Sequence, residues 1–290
     1  MTVSARGQTF TILGARGFVG AALAAWLESQ DHLLVHAITR ASLPALLATH
    51  RPAGHVIDCI GLTGDFRSRP LDTAEAHVGV VARCLAELEF DSFLLLSSTR
   101  VYARAAATHE NAPLPCLPGD SSDLYNVTKL AGEALCLSDP RPMVRVVRLS
   151  NVYGAGMPDE SFLGQVLREG RSTGRVLLRN SGASAKDYVN LSEVVRHLPA
   201  ISHSGRARLY NLAAGFNTSH ATIAAQLRQL VGWEVGFAPD APTVRNLPID
   251  TSRLDAEFGP ALSKLSADLP TLLALGEGGQ CSQSMKHLAA

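Results

Sequence analysis

Tyr125 and Lys129 stand four apart in the run YNVTK, so in a helix their side chains share one face. The chemistry open to such a pair is proton transfer. A phenol with a pKa of about 10 is a poor acid–base group at neutral pH, but a nearby ammonium favours its phenolate. Tyr-x-x-x-Lys alone describes an exposed helical pair equally well, and position has to decide. Just upstream, FLLLSSTRVY reads as a buried strand ending in Ser97, Ser98 and Thr99, which brings hydroxyls to the carboxyl edge of a sheet, where α/β ligands bind. Ser98 is the hydroxyl expected on the reacting oxygen. Ser97 reads as a satisfied strand-end hydroxyl and Thr99 as a turn residue.

A second constellation lies near the N-terminus. In TFTILGARGFVGAALAAWL, Gly14, Gly17 and Gly20 follow a strand pattern and open a helical one. Gly14 permits a tight turn, Gly17 lets a pyrophosphate approach the backbone, and Gly20 lets helix and strand pack closely. The N–H groups of the first helical turn, at Phe18, Val19 and Gly20, face the anion. The next strand ends in Thr39 and Arg40 where NAD sites carry an acid for the ribose hydroxyl. Arginine there suits a 2′-phosphate and so NADP, with NAD as the alternative. Arg16, inside the glycine turn, is an equal candidate for that phosphate, and Arg40 also reads as a solvated loop cation.

The elements that must position these residues follow from periodicity. Thr9 to Leu13, Leu33 to Thr39, Val56 to Ile60, Phe93 to Ser97 and Val144 to Leu149 read as strands. Helical patterns at Phe18 to Gln30, Asp72 to Glu89 and Leu124 to Leu137 separate them, which predicts a doubly wound parallel sheet, α/β in class, over residues 1–151. From residue 152 to 275 shorter, glycine-interrupted segments predict a smaller lobe that receives the substrate, with some segments returning to the first domain. Helices are expected there at Ser161 to Glu169, Ser192 to Ile201 and Thr218 to Val231. Residues 276–290 read as a frayed tail.

Composition narrows the partners. The 26 basic and 26 acidic residues cancel, which removes the electrostatic footprint of a nucleic-acid or anionic-membrane binder and points to a small molecule. No apolar run approaches the roughly 20 residues of a membrane span. The five cysteines form no CxxC pair and no secretory signal is apparent, so a cytoplasmic protein with reduced thiols is expected. None of the ten histidines has ligand spacing, so no metal site is predicted.

Taken together, GARGFVG, SSTRVY, YNVTK, RLSNVYGAGM and KDYVNLSEV resemble the extended short-chain dehydrogenase/reductases, the NAD-dependent epimerase/dehydratase family that modifies nucleotide sugars. The resemblance runs from about Thr9 to Leu273 and implies a Rossmann-type fold. It implies catalytic roles for Ser98, Tyr125 and Lys129, with Lys129 also holding the nicotinamide ribose, and places Asn151 near the substrate. Lys186 stands where the family usually has an arginine that reaches the nucleotide phosphates, and Arg245 is a candidate for a later diphosphate clamp. A homodimer is implied at the same level.

Departures narrow the reaction. Related dehydratases carry Asp-Glu at Thr99-Arg100, so dehydration is disfavoured. About fifteen residues separate Arg40 from Val56, so the usual intervening strand is missing or compressed, as in 4-keto-6-deoxysugar reductases. His77 replaces a usual asparagine, and VYA replaces VYG. The expectation is an NADPH-dependent reductase of a 4-keto nucleotide sugar. Its rivals are a 4-epimerase with tightly bound NAD, a reductase of a non-sugar ketone, and a non-catalytic dinucleotide-binding scaffold or sensor.

Overall fold

The computed structural model describes residues 8–49, 51–62 and 64–275. Residues 276–290, expected as a tail, lie outside the described residues. The first half alternates β1 (Thr9–Leu13), α1 (Phe18–Glu28), β2 (Leu34–Ile38), α2 (Leu43–Ala48) and β3 (His55–Asp58). A helical stretch then runs through α3 (Pro70–Ala74), a π turn (Glu75–Gly79) and α4 (Val80–Glu87). It leads to β4 (Ser92–Ser98), α5 (Leu124–Ser138) and β5 (Val144–Leu149).

Beyond them come β6 (Asn151–Tyr153), α6 (Phe162–Thr173), β7 (Arg175–Leu178), β8 (Ala185–Asn190), α7 (Leu191–Ser204) and β9 (Leu209–Leu212). The last elements are β10 (Asn217–Ser219), α8 (His220–Val231), β11 (Glu234–Phe237), α9 (Ser252–Phe258) and α10 (Leu265–Ala274).

Six parallel strands form the main sheet in the order β2-β1-β3-β4-β5-β9. Because successive side chains leave a strand on opposite faces, the apolar runs feed two cores at once. Ile12, Leu94 and Val147 pack with Leu23, Leu27, Leu198 and Ile201 of α1 and α7. Leu13, Leu95 and Val146 pack with Leu47, Val81, Cys84 and Cys136 of α2, α4 and α5. This is a Rossmann-type sheet covered by helices on both faces. The chain leaves β1 for one edge through β2 and returns to start the other half at β3, so the crevice between the ends of β1 and β3 is the switch point where ligands bind in such sheets.

Two small sheets, β10-β8-β6 and β11-β7, pack with α6, α8 and α10 around Leu163, Leu167, Val176, Ile223, Leu227, Leu269 and Leu272. The late strand β9 crosses back to become the sixth strand of the main sheet, and α7 covers β3 and β4. Among the described residues, no helix is long and apolar enough to cross a membrane.

Three details differ from the periodicity. The short connection after Arg40 is not empty, since α2 fills it and seats Leu43 and Leu47 in the core, and β2 is left as the sheet edge. The helix expected from Asp72 starts at Pro70, suited to a first helical turn, and is interrupted by the π turn. The helix expected from Thr218 begins at His220, because residues 217–219 pair antiparallel with β8 and Ser219 then caps α8 by accepting the Thr222 N–H at 3.0 Å.

Candidate active site

The glycine turn closes the end of β1. Gly14 has φ +75°, a conformation costly for any residue with a Cβ, and an added Cβ would stand 3.1 Å from the Cys59 carbonyl and the Ile60 nitrogen at the end of β3. At Gly20 a Cβ would lie 2.3 Å from the Gly14 carbonyl oxygen, so turn and helix meet here only through glycine. Gly17 is the N-cap of α1 and offers no side-chain cap. The N–H groups of Phe18, Val19 and Gly20 are therefore free of a capping side chain, and this backbone cradle fits a dinucleotide pyrophosphate. Ala15 N–H donates to Ile38 O at 3.1 Å, which ties the turn to the end of β2. Arg16 and Arg40 sit exposed on the two turns so joined.

At the end of β4, Ser98 is half-buried and its hydroxyl accepts from Arg100 N–H at 3.2 Å. Tyr125 and Lys129 lie buried on the face of α5 that packs on β4 and β5. Burial pushes the Tyr125 phenol above its ordinary value, and hydrogen bonding from Ser98 and the Arg100 guanidinium pull the other way. Lys129 donates from Nζ to Leu96 O at 2.9 Å. Burial draws its ammonium down to about 8, opposed by Asp58, Glu133 and Cys59. The cation acting on Tyr125 is thus Arg100, whose guanidinium carbon is 5.4 Å from the ring centroid, while Lys129 is anchored to the strand.

Beneath these groups lie two residues whose roles sequence reasoning left open or overlooked. His77, on the π turn, packs edge-on against Tyr125 with ring centroids 5.2 Å apart. Its Nε2 accepts from Leu62 N–H at 3.2 Å, so Nδ1 carries the proton and donates to Thr128 Oγ1 at 2.9 Å. Burial pushes His77 down to about 3, and the ring is neutral at physiological pH. Gly132 lets α5 approach this turn, because a Cβ there would be 2.4 Å from His77 O. Asp58 ends β3 fully buried. One carboxylate oxygen accepts from Ile60 N–H at 2.9 Å, and the other has no hydrogen-bond partner among the described residues. Burial raises Asp58 to about 6, with the Ile60 N–H and Lys129 acting against it.

Phe66, buried, comes from the loop after β3 and packs against Tyr125 with centroids 5.6 Å apart. Arg100 and Arg67 lie over it, at 5.0 and 4.4 Å from its centroid. Neither Phe66 nor Arg67 belongs to a periodic segment, so only their spacing from the end of β3 could have signalled them. Lys186, on β8, is half-buried with Nζ 5.3 Å from the Phe162 ring; burial and Arg100 lower its pKa. Asn151, at the start of β6, is exposed and donates to Asp187 O at 2.8 Å. Arg245 is exposed in the irregular segment after β11, apart in sequence and secondary structure from the elements that carry the Tyr125 cluster. Asp187 itself is a clamp, accepting from Ala214 and Gly215 N–H at 3.0 and 2.8 Å. Ser97 is spent on Glu133. Among the described residues, no three His, Cys, Asp or Glu side chains converge as metal ligands would.

Comparison with known proteins agrees with this architecture. The dTDP-glucose 4,6-dehydratase of Streptomyces griseus is 26% identical over 176 residues, covering 58% of this chain and 53% of that protein. The chain thus spans about half the length of that curated relative. Among solved structures, MoeE5 in complex with UDP-glucose and NAD is 20% identical with a TM-score of 0.75, over 93% of this chain and 99% of that one. TunA, an NDP-hexosamine 5,6-dehydratase of tunicamycin biosynthesis, is 17% identical with a TM-score of 0.79, over 94% and 99%. RMD from Pseudomonas aeruginosa, complexed with NADPH, is 22% identical with a TM-score of 0.76, over 93% and 100%. At these identities the structural likeness speaks to the fold. The model of the NAD dependent epimerase/dehydratase family matches residues 10–213, most of the chain including the glycine turn, Ser98, Tyr125 and Lys129, and the chain belongs to that family of enzymes.

Proposed function

We propose that this chain uses NADPH to reduce a 4-keto group on a nucleotide-activated sugar. The observation that carries the reading is Tyr125, buried beside Ser98 at the carboxyl edge of the sheet, on the side where the glycine cradle opens. Burial holds the phenol protonated at neutral pH, which suits a proton donor to a carbonyl oxygen. Ser98 hydrogen-bonds that oxygen, and Lys129, fixed by Leu96 O, orients the nicotinamide ribose. The bound nicotinamide supplies the hydride. Thr99 and Arg100 leave no carboxylate at the end of β4, which counts against dehydration.

Arg40 and Arg16, exposed on the two joined turns, favour a 2′-phosphate and hence NADP over NAD. RMD is solved with NADPH and MoeE5 with NAD, so both cofactors occur on this fold. The two small sheets would form the substrate lobe, with Asn151, Lys186 and Arg245 on the nucleotide sugar. MoeE5 is solved with UDP-glucose and with UDP-glucuronic acid, ligands of that class.

The test is cofactor content and turnover of the purified chain. The reading expects an empty site that prefers NADPH to NADH and oxidises NADPH when given a nucleotide 4-keto sugar. Tightly retained NAD with interconversion of unmodified nucleotide sugars would replace it with the 4-epimerase. NADPH oxidation with a ketone lacking any nucleotide would replace it with a non-sugar reductase.

A further inference from the structure

On the segments that carry Phe66 and lead into Tyr125, four acids are already paired. Arg69 holds Asp65 and Asp72 at 3.1 and 2.7 Å, and Arg104 holds Asp120 and Asp123 at 2.6 and 2.8 Å. Among the described residues Arg67 and Arg100 make no ion pair, although they flank the same ring of Phe66. Each spends a guanidinium N–H on Ser122, Arg67 on the hydroxyl at 3.0 Å and Arg100 on the carbonyl at 3.1 Å. A guanidinium has five N–H groups, so most of their donors are uncommitted. Both cations are held on one aromatic platform, and Arg100 is half-buried. Arg67 is exposed and Arg100 half-buried, so solvent screens their repulsion only in part, and an anion shared by the two relieves what remains.

We propose that Arg100 and Arg67 are specificity-determining residues that receive a carboxylate carried by the reacting sugar itself, so that the substrate is a nucleotide-activated sugar acid. The inference rests on the nucleotide-sugar reading and concerns the hydroxy acid bound with oxidised cofactor, because the matching 4-keto acid is a β-keto acid that readily loses carbon dioxide when free. Arg100 lies over the ring of Tyr125, its guanidinium carbon 5.4 Å from the centroid, and so stands beside the phenol proposed to protonate the sugar oxygen. A sugar diphosphate leaves from the anomeric carbon and has its own candidate cation in Lys186. A planar guanidinium matches a carboxylate with two parallel N–H···O bonds, a geometry lysine does not offer. Burial and the neighbouring Arg67 disfavour the charged Arg100, while Tyr125, Asp123 and Asp120 act against them.

The test is isothermal titration of the full chain, saturated with NADP+ or NAD+, with the matched pair UDP-glucuronate and UDP-glucose and with the corresponding dTDP pair. The glucuronate is expected to bind about tenfold or more tightly than its matched glucose. Arg100→Met should bring that ratio near one, Arg100→Lys should restore part of it, and Arg67→Met should reduce it about threefold. Circular dichroism and cofactor affinity report whether each variant is folded; if Arg100→Met is not, the wild-type ratio and Arg67→Met decide. A wild-type ratio of one or below, or an equal loss for both sugars in Arg100→Met, overturns the proposal and leaves the nucleotide-sugar reading standing. If cofactor binds and no nucleotide sugar of either kind does, that reading falls and takes this proposal with it.

Discussion

Two arginines on either side of α5 meet opposite fates. Arg148, on β5 behind the helix, is as buried as its partner Glu133, which it holds at 2.6 Å, and its remaining N–H groups go to the Tyr102 hydroxyl and the Glu110 carbonyl. Tyr102 in turn donates to Asn211 on β9, so one closed network joins β4, α5, β5 and β9. Arg100, at the mouth in front of the helix, has aromatic faces and a single carbonyl, and no acid. A closed charge network holds strands together. An open one, set against a phenol and a hydroxyl, is shaped for a molecule the protein does not itself contain.

The largest effect should separate chemistry from both. Tyr125→Phe keeps the ring packed on Phe66 and His77 and removes only the hydroxyl. Turnover should fall by about 10²- to 10⁴-fold, the usual weight of a positioned acid, with cofactor affinity within about threefold of wild type. Retained turnover would remove Tyr125 from the proton's path.

The closed and open arginines differ next in stability. Arg148→Met strands a buried Glu133 carboxylate and should cost about 3–5 kcal/mol in urea denaturation. Arg100→Met strands nothing and should cost about 1 kcal/mol or less. Equal losses would mean that Arg100 is also a structural cation.

His77 offers a pH test of the same layer. Its pKa falls from 6.5 to about 3 on folding, so between those values the unfolded chain binds a proton that the folded chain does not. Its stabilising share is therefore complete above pH 6.5 and lost as pH falls toward 3, about 2 kcal/mol by pH 5. Asp58, raised from 3.8 to about 6, acts with the opposite sign between those values and is common to both proteins compared. Thermal melts of His77→Gln should lose less stability than wild type between pH 7 and pH 5, and parallel losses would contradict a neutral buried His77. The smallest effect is expected at the exposed edge, where Arg40→Ser should raise the KM for NADPH about tenfold and leave that for NADH nearly unchanged.

Legibility in the sequence followed the length of each element and the number of constraints upon it. Strands β1, β3, β4 and β5 and the helix carrying Tyr125 were readable, because a strand buried on both faces must be a continuous apolar run and a covering helix must repeat at three and four, whereas the exposed edge strand β2 was readable only as a short run of strand-forming residues. The glycines announced themselves through a turn that tolerates no Cβ. The six residues of α2 and the three-residue strands β6 and β10 are too short for any period to show, and the π turn lies where Gly132 and His77 meet across helices distant in sequence, a contact no local pattern reveals. The cation pair at the mouth was invisible for another reason. Arg100 reads in sequence only as a missing acid, and its partnership with Arg67 exists because Phe66 folds under both.

The central claim is that Tyr125 and the nicotinamide together act on the oxygen-bearing carbon of a sugar. Deuterium transfer tests it most directly. NADPH carrying deuterium at both C4 positions of the nicotinamide is incubated with the chain and a nucleotide 4-keto sugar, and the product is read by mass spectrometry and NMR. The account predicts one deuterium at sugar C4 from the wild type and almost none from Tyr125→Phe. Product without deuterium, or equal labelling by the two proteins, would contradict it.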